Sequence, residues 1–226
     1  MTAADLIQKA KEAFEQAKKL ALVDTDWSKC VAPGSKVDVF KKKSCCWEGS
    51  VFKAAATIMA PPMRVLDMFH FTYRPQWDKN VDYIELLQVL GEGVVSTHGV
   101  SKASLGGLIS PRENYIVSFI DAESTIKAAA NVGYDPDEFS FLKEKVDASK
   151  LAGKEVVRAF THPSGIFIQP GSDPNTSEVT VIFQTDFKGK LNLTMVETAM
   201  PMAVNEFFSN LEKSNELAYT PVNRKQ

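Results

Sequence analysis

Residues 193–211 read LTMVETAMPMAVNEFFSNL, and the arrangement of apolar side chains there decides what kind of molecule the chain makes. Val196, Met200, Ala203, Val204, Phe207 and Leu211 recur at the three- and four-residue spacing of one helical face, and Met195, Ala199 and Met202 widen it. The pattern predicts a helix buried through its first half. Pro201 falls inside it, where the missing N–H costs about 3 kcal/mol unless the helix bends or begins again. Methionine side chains are adaptable and polarisable, so a kinked helix rich in them can repack against differently shaped neighbours.

Upstream of this helix the periodicity is that of strands. KVDVFKKKS from 36 and WEGSVFKAAATI from 47 form an expected antiparallel pair. Pro61 and Pro62 open a short helix over 62–71, since the first helical turn does not need the missing N–H. A turn around Pro75 to Asn80 leads into VDYIELLQVLG and EGVVSTHGVS, joined at Gly91-Glu92-Gly93, and NYIVSFID continues the meander. EVVRAF, GIFIQP and SEVTVIFQTDF read as three more strands, broken at His162–Gly165 and at Pro170–Asn175. At the start, Ala3, Leu6, Ile7, Ala10, Phe14, Ala17 and Ala21 mark an amphipathic helix over 4–22 that packs by one face. Residues 121–155 carry no clear period: a turn at Tyr134–Asp137 is legible, and FLKEKVD fits helix or strand. The whole is an α+β chain, one domain over 1–226, with an antiparallel sheet bracketed by an N-terminal helix within 1–24 and a long C-terminal helix within 192–217.

Composition narrows the function. Lys plus Arg number 26 against 28 Asp plus Glu, so the chain lacks the positive field with which a nucleic-acid binder gathers phosphates. Lys9, Lys11, Glu12 and Glu15 interrupt the apolar core a signal peptide needs, and the first arginine is Arg64, unlike an Arg-rich transit peptide. A cytoplasmic location is the expectation, with Cys30, Cys45 and Cys46 as free thiols because no CxxC spacing is present. His70, His98 and His162 have no partner at metal-ligand spacing, and neither a nucleophile elbow nor a phosphate loop occurs. Glu85, Glu92 and Asp186 could do acid–base work, but carboxylates on strand surfaces are far commoner than catalytic pairs. The motifs point away from an enzyme, a metal or a cofactor.

Four phrases in order carry a family resemblance. Arg74–Val81 (RPQWDKNV), Leu108–Glu113 (LISPRE), Val157–Gly165 (VRAFTHPSG) and Thr185–Gly189 (TDFKG) resemble segments of the START domain, a lipid-transfer module, with Glu113 where the family usually has Asp. Pro201 is similar to a proline common in the last helix of its small single-domain members. The match runs from about Trp27 to Leu211. The resemblance implies a helix-grip fold, a curved antiparallel sheet closed around the C-terminal helix, with one hydrophobic ligand in an internal cavity. It also implies that the loop from Leu105 to Pro111 and that helix form the cover. Gly106 and Gly107 would give the loop freedom and Pro111 would end it.

Two departures bear on the ligand. Sterol-carrying members often have a buried acid on one strand and an arginine on the next; by position these become Gly99 and Ser118. Isolated charges in an apolar cavity cost several kcal/mol each, so losing both together leaves a less polar pocket, in which Thr97 and Ser118 can hydrogen-bond a neutral hydroxyl. Region 121–155 also lacks the family's usual phrase. With Gly99 and Ser118 inward, strand alternation brings Val95, Thr97, Ser101, Ile116 and Ile120 inward as well. Leu105, Leu108, Thr161, Met195, Ala199, Met202 and Ala203 complete the expected lining.

The expectation is therefore a monomeric, non-enzymatic carrier of a single lipid, a neutral sterol first, touching a membrane surface only transiently and binding no nucleic acid. Carotenoid, bile acid, fatty acid or phospholipid are alternative cargoes. A hydrolase or cyclase on a similar scaffold would instead need convergent acid–base groups, and a lipid-sensing interaction module would capture a partner without transferring ligand.

Overall fold

A computed structural model describes residues 1–30, 37–104, 107 and 109–223. Helix α1 spans Ala3–Leu22 and starts with a reciprocal cap: the Thr2 hydroxyl accepts from the Asp5 N–H while the Asp5 carboxylate accepts from the Thr2 N–H at 2.6 Å. Strands β1 (Ser28–Cys30), β2 (Asp38–Lys43) and β3 (Ser50–Ile58) follow, then helices α2 (Pro62–Met68) and α3 (Arg74–Trp77). Strands β4 (Val81–Gly91), β5 (Val94–Ser101), β6 (Arg112–Asp121) and β7 (Lys127–Gly133) form a meander; Gly93, with φ of 68°, makes the turn between the first two. A single-turn helix α4 (Ser140–Lys143), flanked by 3₁₀ turns, precedes β8 (Val157–Arg158), β9 (Phe160–Thr161), β10 (Ser164–Pro170), β11 (Ser177–Phe183) and β12 (Thr185–Asp186). The last helix, α5 (Leu193–Lys213), runs on through Pro201, its first turn capped by Asn192 Oδ1 accepting from Met195 N.

The described strands of the main sheet are ordered β1-β2-β3-β11-β10-β7-β6-β5-β4, with β8 added to β6. The pairs are antiparallel except β6 with β8, which is parallel. Four sequence expectations change. The 75–80 turn contains α3, the strand at 114 begins two residues earlier at Arg112, and EVVRAF divides between β8, in the main sheet, and β9, which pairs β12 in a separate ribbon. The stretch 121–155 resolves into β7 and an excursion over the end of β4, β5 and β6. Tyr134 hydrogen-bonds Ser96 at 2.7 Å, and Lys150 and Lys154 reach Glu85 and Asp82. Its sequence was hard to read because the excursion is held by side-chain bonds to the sheet rather than by a period of its own.

The sheet has two unlike faces. On the outer one, α1 lays Leu6, Ala10 and Ala13 against Val94, Val117 and Val132, and Phe14 and Ala17 against Ala128, Ala130 and Phe167. The rings of Phe14 and Phe119 meet edge to face at 5.0 Å. On the inner face α5 places Val204, Phe207, Phe208 and Leu211, and α2 places Val65, Leu66 and Met68, against Phe52, Ala54, Ile166, Ile168, Val179 and Val181. These side chains come from β3, β11 and β10, which make up one half of the inner face. The three cysteines are free thiols.

Candidate lipid site on the inner face

The other half of the inner face is not sealed in this way. Along β5 burial alternates strictly: Val94, Ser96, His98 and Val100 are buried toward the outer side, while Val95, Thr97, Gly99 and Ser101 are half-exposed. Cross-strand pairing puts Ile84 opposite Gly99, Leu86 and Ile116 opposite Thr97, and Ser118 opposite Val95. Ile116 and Ile120 are likewise partly exposed, Ile120 packing against the α2–α5 cluster, and Leu86, on the edge strand β4, is 38% exposed. The row is largely apolar and is left partly exposed on the side of β5 and β6 away from α1.

Polar groups punctuate this row. Ser118 Oγ donates to Asn131 Oδ1 at 2.7 Å, and Asn131 lies opposite Ser164 on β10. Among the described residues, Lys127, in line with Asn131, donates to the Ser124 and Glu123 carbonyls, and Arg112, in line with Asn114, Ile116 and Ser118, is taken up by the carbonyls of Ser110, Phe187 and Lys188. Thr161, 8% exposed, sits beside Gly133, where an added Cβ would come within 3.0 Å of the Thr161 nitrogen.

The C-terminal helix meets the site differently from the spacing argument. Val196 and Met200 turn inward, and with Phe52, Phe183, Phe187 and Trp47 they line an apolar cleft of about 70 Å³ under the first half of α5. Met195 and Met202, expected to widen the inward face, are 50% and 71% exposed, on the side of the helix shared with exposed Glu206 and Ser209; they sit roughly half a turn from Val204 and Phe207. Ala199 and Ala203 are half-buried on the flank. A groove of about 380 Å³ between Lys41, Lys43, Glu48 and Glu197 is charged and suits no apolar guest. Leu105 and Leu108 lie outside the described residues, so the expected gate is seen only at its ends. Ser104 and Ile109 form a bridge, Ile109 is buried, and Gly107 has φ of 91°, a conformation that glycine alone adopts without strain.

Arg112, read in the sequence only as part of the LISPRE phrase, joins Ser110 to the segment ahead of α5. Arg112, 3% exposed, donates from Nε to the Phe187 carbonyl at 2.6 Å, from Nη1 to the carbonyl and hydroxyl of Ser110 at 2.6 Å each, and from Nη2 to the Lys188 carbonyl at 3.4 Å. Lys188 and Gly189, at φ of 52° and 74°, form a left-handed turn ahead of α5. A single guanidinium thus ties the end of the 105–111 loop to the lead-in of the helix.

Also missed was a charged cluster on the opposite face. His98, fully buried, bridges Glu85 at 2.9 Å and Glu113 at 3.1 Å; Lys150 then pairs with Glu85 and Arg158 with Glu113. The His98 hydrogen bond holds the Glu113 carboxyl below the usual carboxylate range despite its burial. Burial works against the Glu85 charge, but hydrogen bonds from Lys150 and His98 more than offset it and lower that carboxyl too. Burial and the Glu85 charge push Tyr83 up to about 12. Its position outside the sheet makes this cluster a brace for the excursion, remote from the open row. Among the described residues no cluster of His, Cys, Asp and Glu could hold a metal ion, and no helix is long and apolar enough to cross a membrane.

A family model described as "START domain" matches residues 7–216. The chain belongs to the START domain family. StAR-related lipid transfer protein 5 of Bos taurus is 28% identical over 220 residues, spanning 93% of this chain and 97% of that one. StAR-related lipid transfer protein 4 of Homo sapiens is 27% identical over 182 residues, 79% and 82% of the two chains. The solved structure of human StAR-related lipid transfer protein 5 superposes with a TM-score of 0.78 at 21% identity over 95% of this chain and 98% of that one; STARD10, at 0.69 and 16% identity, covers 89% and 77%. At such identities the likeness shows the START fold: a large antiparallel sheet with a long C-terminal helix.

Proposed function

We propose that this START domain binds one lipid against the open inner row and transfers it between membranes without covalent chemistry, a neutral sterol being the first choice of cargo. The observation that carries the reading is the contrast on β5 and β6, where one side of each strand is buried under α1 and its neighbours while the other leaves Val95, Thr97 and Ile116 partly exposed. Covering about 400 Å² of apolar ligand at about 25 cal/mol per Å² yields on the order of 10 kcal/mol before ordering costs, enough for tight retention. Release then requires opening. The 105–111 loop and α5 are the cover, and Arg112 is the join that must give way or move as a unit with them. The relatives named as lipid transfer proteins support the activity, and a row whose two cations are taken up by carbonyl oxygens supports a neutral cargo.

Native mass spectrometry of the purified protein, with lipid extraction and identification, tests the reading. One bound sterol per chain, and movement of that sterol between vesicles on addition of protein, is the expected result. A chain that leaves expression empty and takes up no lipid from sterol- or phospholipid-containing vesicles overturns it.

A further inference from the structure

Two side-chain amides on the inner row are left with hydrogen-bonding capacity that the protein does not use. Asn114 faces inward by the same alternation that places Ile116 and Ser118 there, and its Oδ1 is buried with no donor. A buried amide oxygen without a partner costs free energy comparable to a lost hydrogen bond, so its retention calls for a reason. Asn131 interrupts an alanine run on β7; its Oδ1 is taken by Ser118, and among the described residues nothing accepts from its Nδ2. The Ser118 bond thereby takes up the Oδ1 end of Asn131 and leaves its N–H₂ free. Between the two, the Thr97 hydroxyl, opposite Ile116, also has no partner among the described residues.

The chemistry of these groups is specific. All are neutral, so none compensates a carboxylate or phosphate brought into a low-dielectric space. The free Asn114 oxygen needs a donor, and the free Asn131 N–H₂ needs an acceptor. Ser118 is four residues beyond Asn114 and Asn131 lies directly across from Ser118, so the two points are about 14 Å apart along the strand. That span fits a fused-ring body with the first part of a side chain, or an extended terpenoid of similar length.

Resting on the carrier reading, we propose that Asn114 and Asn131 are the two polar anchors of the site and select an apolar ligand with a neutral oxygen function at each of two separated points, a hydroxyl at Asn114 and a hydroxyl or carbonyl at Asn131. A sterol oxygenated on both ring and side chain meets this requirement, whereas one with a single hydroxyl satisfies half of it. A ligand ending in a carboxylate or phosphate meets two cations, Arg112 and Lys127, that are already committed to carbonyl oxygens.

The test is displacement of dehydroergosterol, a fluorescent sterol with one hydroxyl, from wild-type protein and from Asn114→Leu and Asn131→Leu variants. The competitors are cholesterol, a side-chain-hydroxylated cholesterol, cholate and oleate. Wild-type protein should hold the doubly hydroxylated sterol at least about tenfold more tightly than cholesterol, and reject cholate and oleate; each variant should erase most of that preference while still binding the fluorescent sterol. The wild-type series stands alone if a variant folds poorly: equal affinity for the two cholesterols, or preference for the acids, overturns the inference. So does a preference that survives both substitutions. In each of those cases the carrier reading is untouched; it falls only if the wild-type chain binds no lipid of any class.

Discussion

The two faces of one sheet, built from alternate residues of the same strands, have opposite characters. Outward, Val94, Val117 and Phe119 meet α1 in a close-packed layer, and even the charges there are fully engaged, with His98 held between two glutamates. Inward, Ile116, Thr97 and Val95 stand half-exposed, and the amides of Asn114 and Asn131 retain unused capacity. The difference teaches that on β5 and β6 close packing follows one strand parity, while the inner-face core under α2 and α5 is built on β3, β10 and β11.

Substitutions on the two faces should separate accordingly. Phe14→Ala removes a ring that packs on Phe119 and Phe167, and should cost about 4 kcal/mol in urea unfolding. Glu113→Gln strips one carboxylate from buried His98 and should cost about 3 kcal/mol. The second change also alters the pH response. The Glu113 pKa is lowered in the folded state, so its contribution is fully present above the unfolded glutamate value near ~4.3 and is lost as pH falls through the lower folded value. Wild-type stability should therefore drop steeply below about pH 4, and Glu113→Gln should flatten that drop. An unchanged acid profile would show that the bridge contributes nothing.

On the inner face the effects should shrink. Ile116→Ala should cost about 2 kcal/mol or less in lipid-free protein, since the side chain is already partly exposed, while weakening lipid retention. A loss as large as that of Phe14→Ala would mean that the inner row is packed shut, and the comparison would collapse. Smallest of all, Met202→Ser should change stability by no more than about 0.5 kcal/mol, because the residue is 71% exposed and supports nothing beneath it.

How much of this the sequence shows depends on whether a signal is periodic. Helix α1, the β4–β5 hairpin and the extent of α5 were legible because each repeats an apolar spacing over many residues, but α5 is buried through its second half rather than its first, where among the residues before Pro201 only Val196 is buried. Met195 and Met202 were misplaced on α5 because hydrophobicity was read as burial: at about 100° per residue both fall opposite Val204, a distinction angle makes and composition does not. Asn131 gave a readable sign, a lone polar residue in the alanine run of β7, and went unread because region 121–155 had no assigned strand. The Arg112 and His98 connections join residues far apart in sequence through carbonyls and carboxylates, and no local pattern announces such pairings.

Arg112 carries one more implication. Its guanidinium is answered by peptide dipoles from Ser110, Phe187 and Lys188 and by one hydroxyl, with no acid in the arrangement. Added salt has little to screen in the contacts of Arg112 itself, while the turn that presents the Lys188 carbonyl rests on the Asp186 carboxylate, which accepts from Lys188 N at 3.0 Å. The seam between loop and helix should thus hold equally in dilute buffer and at an anionic bilayer, and its one titratable support is Asp186.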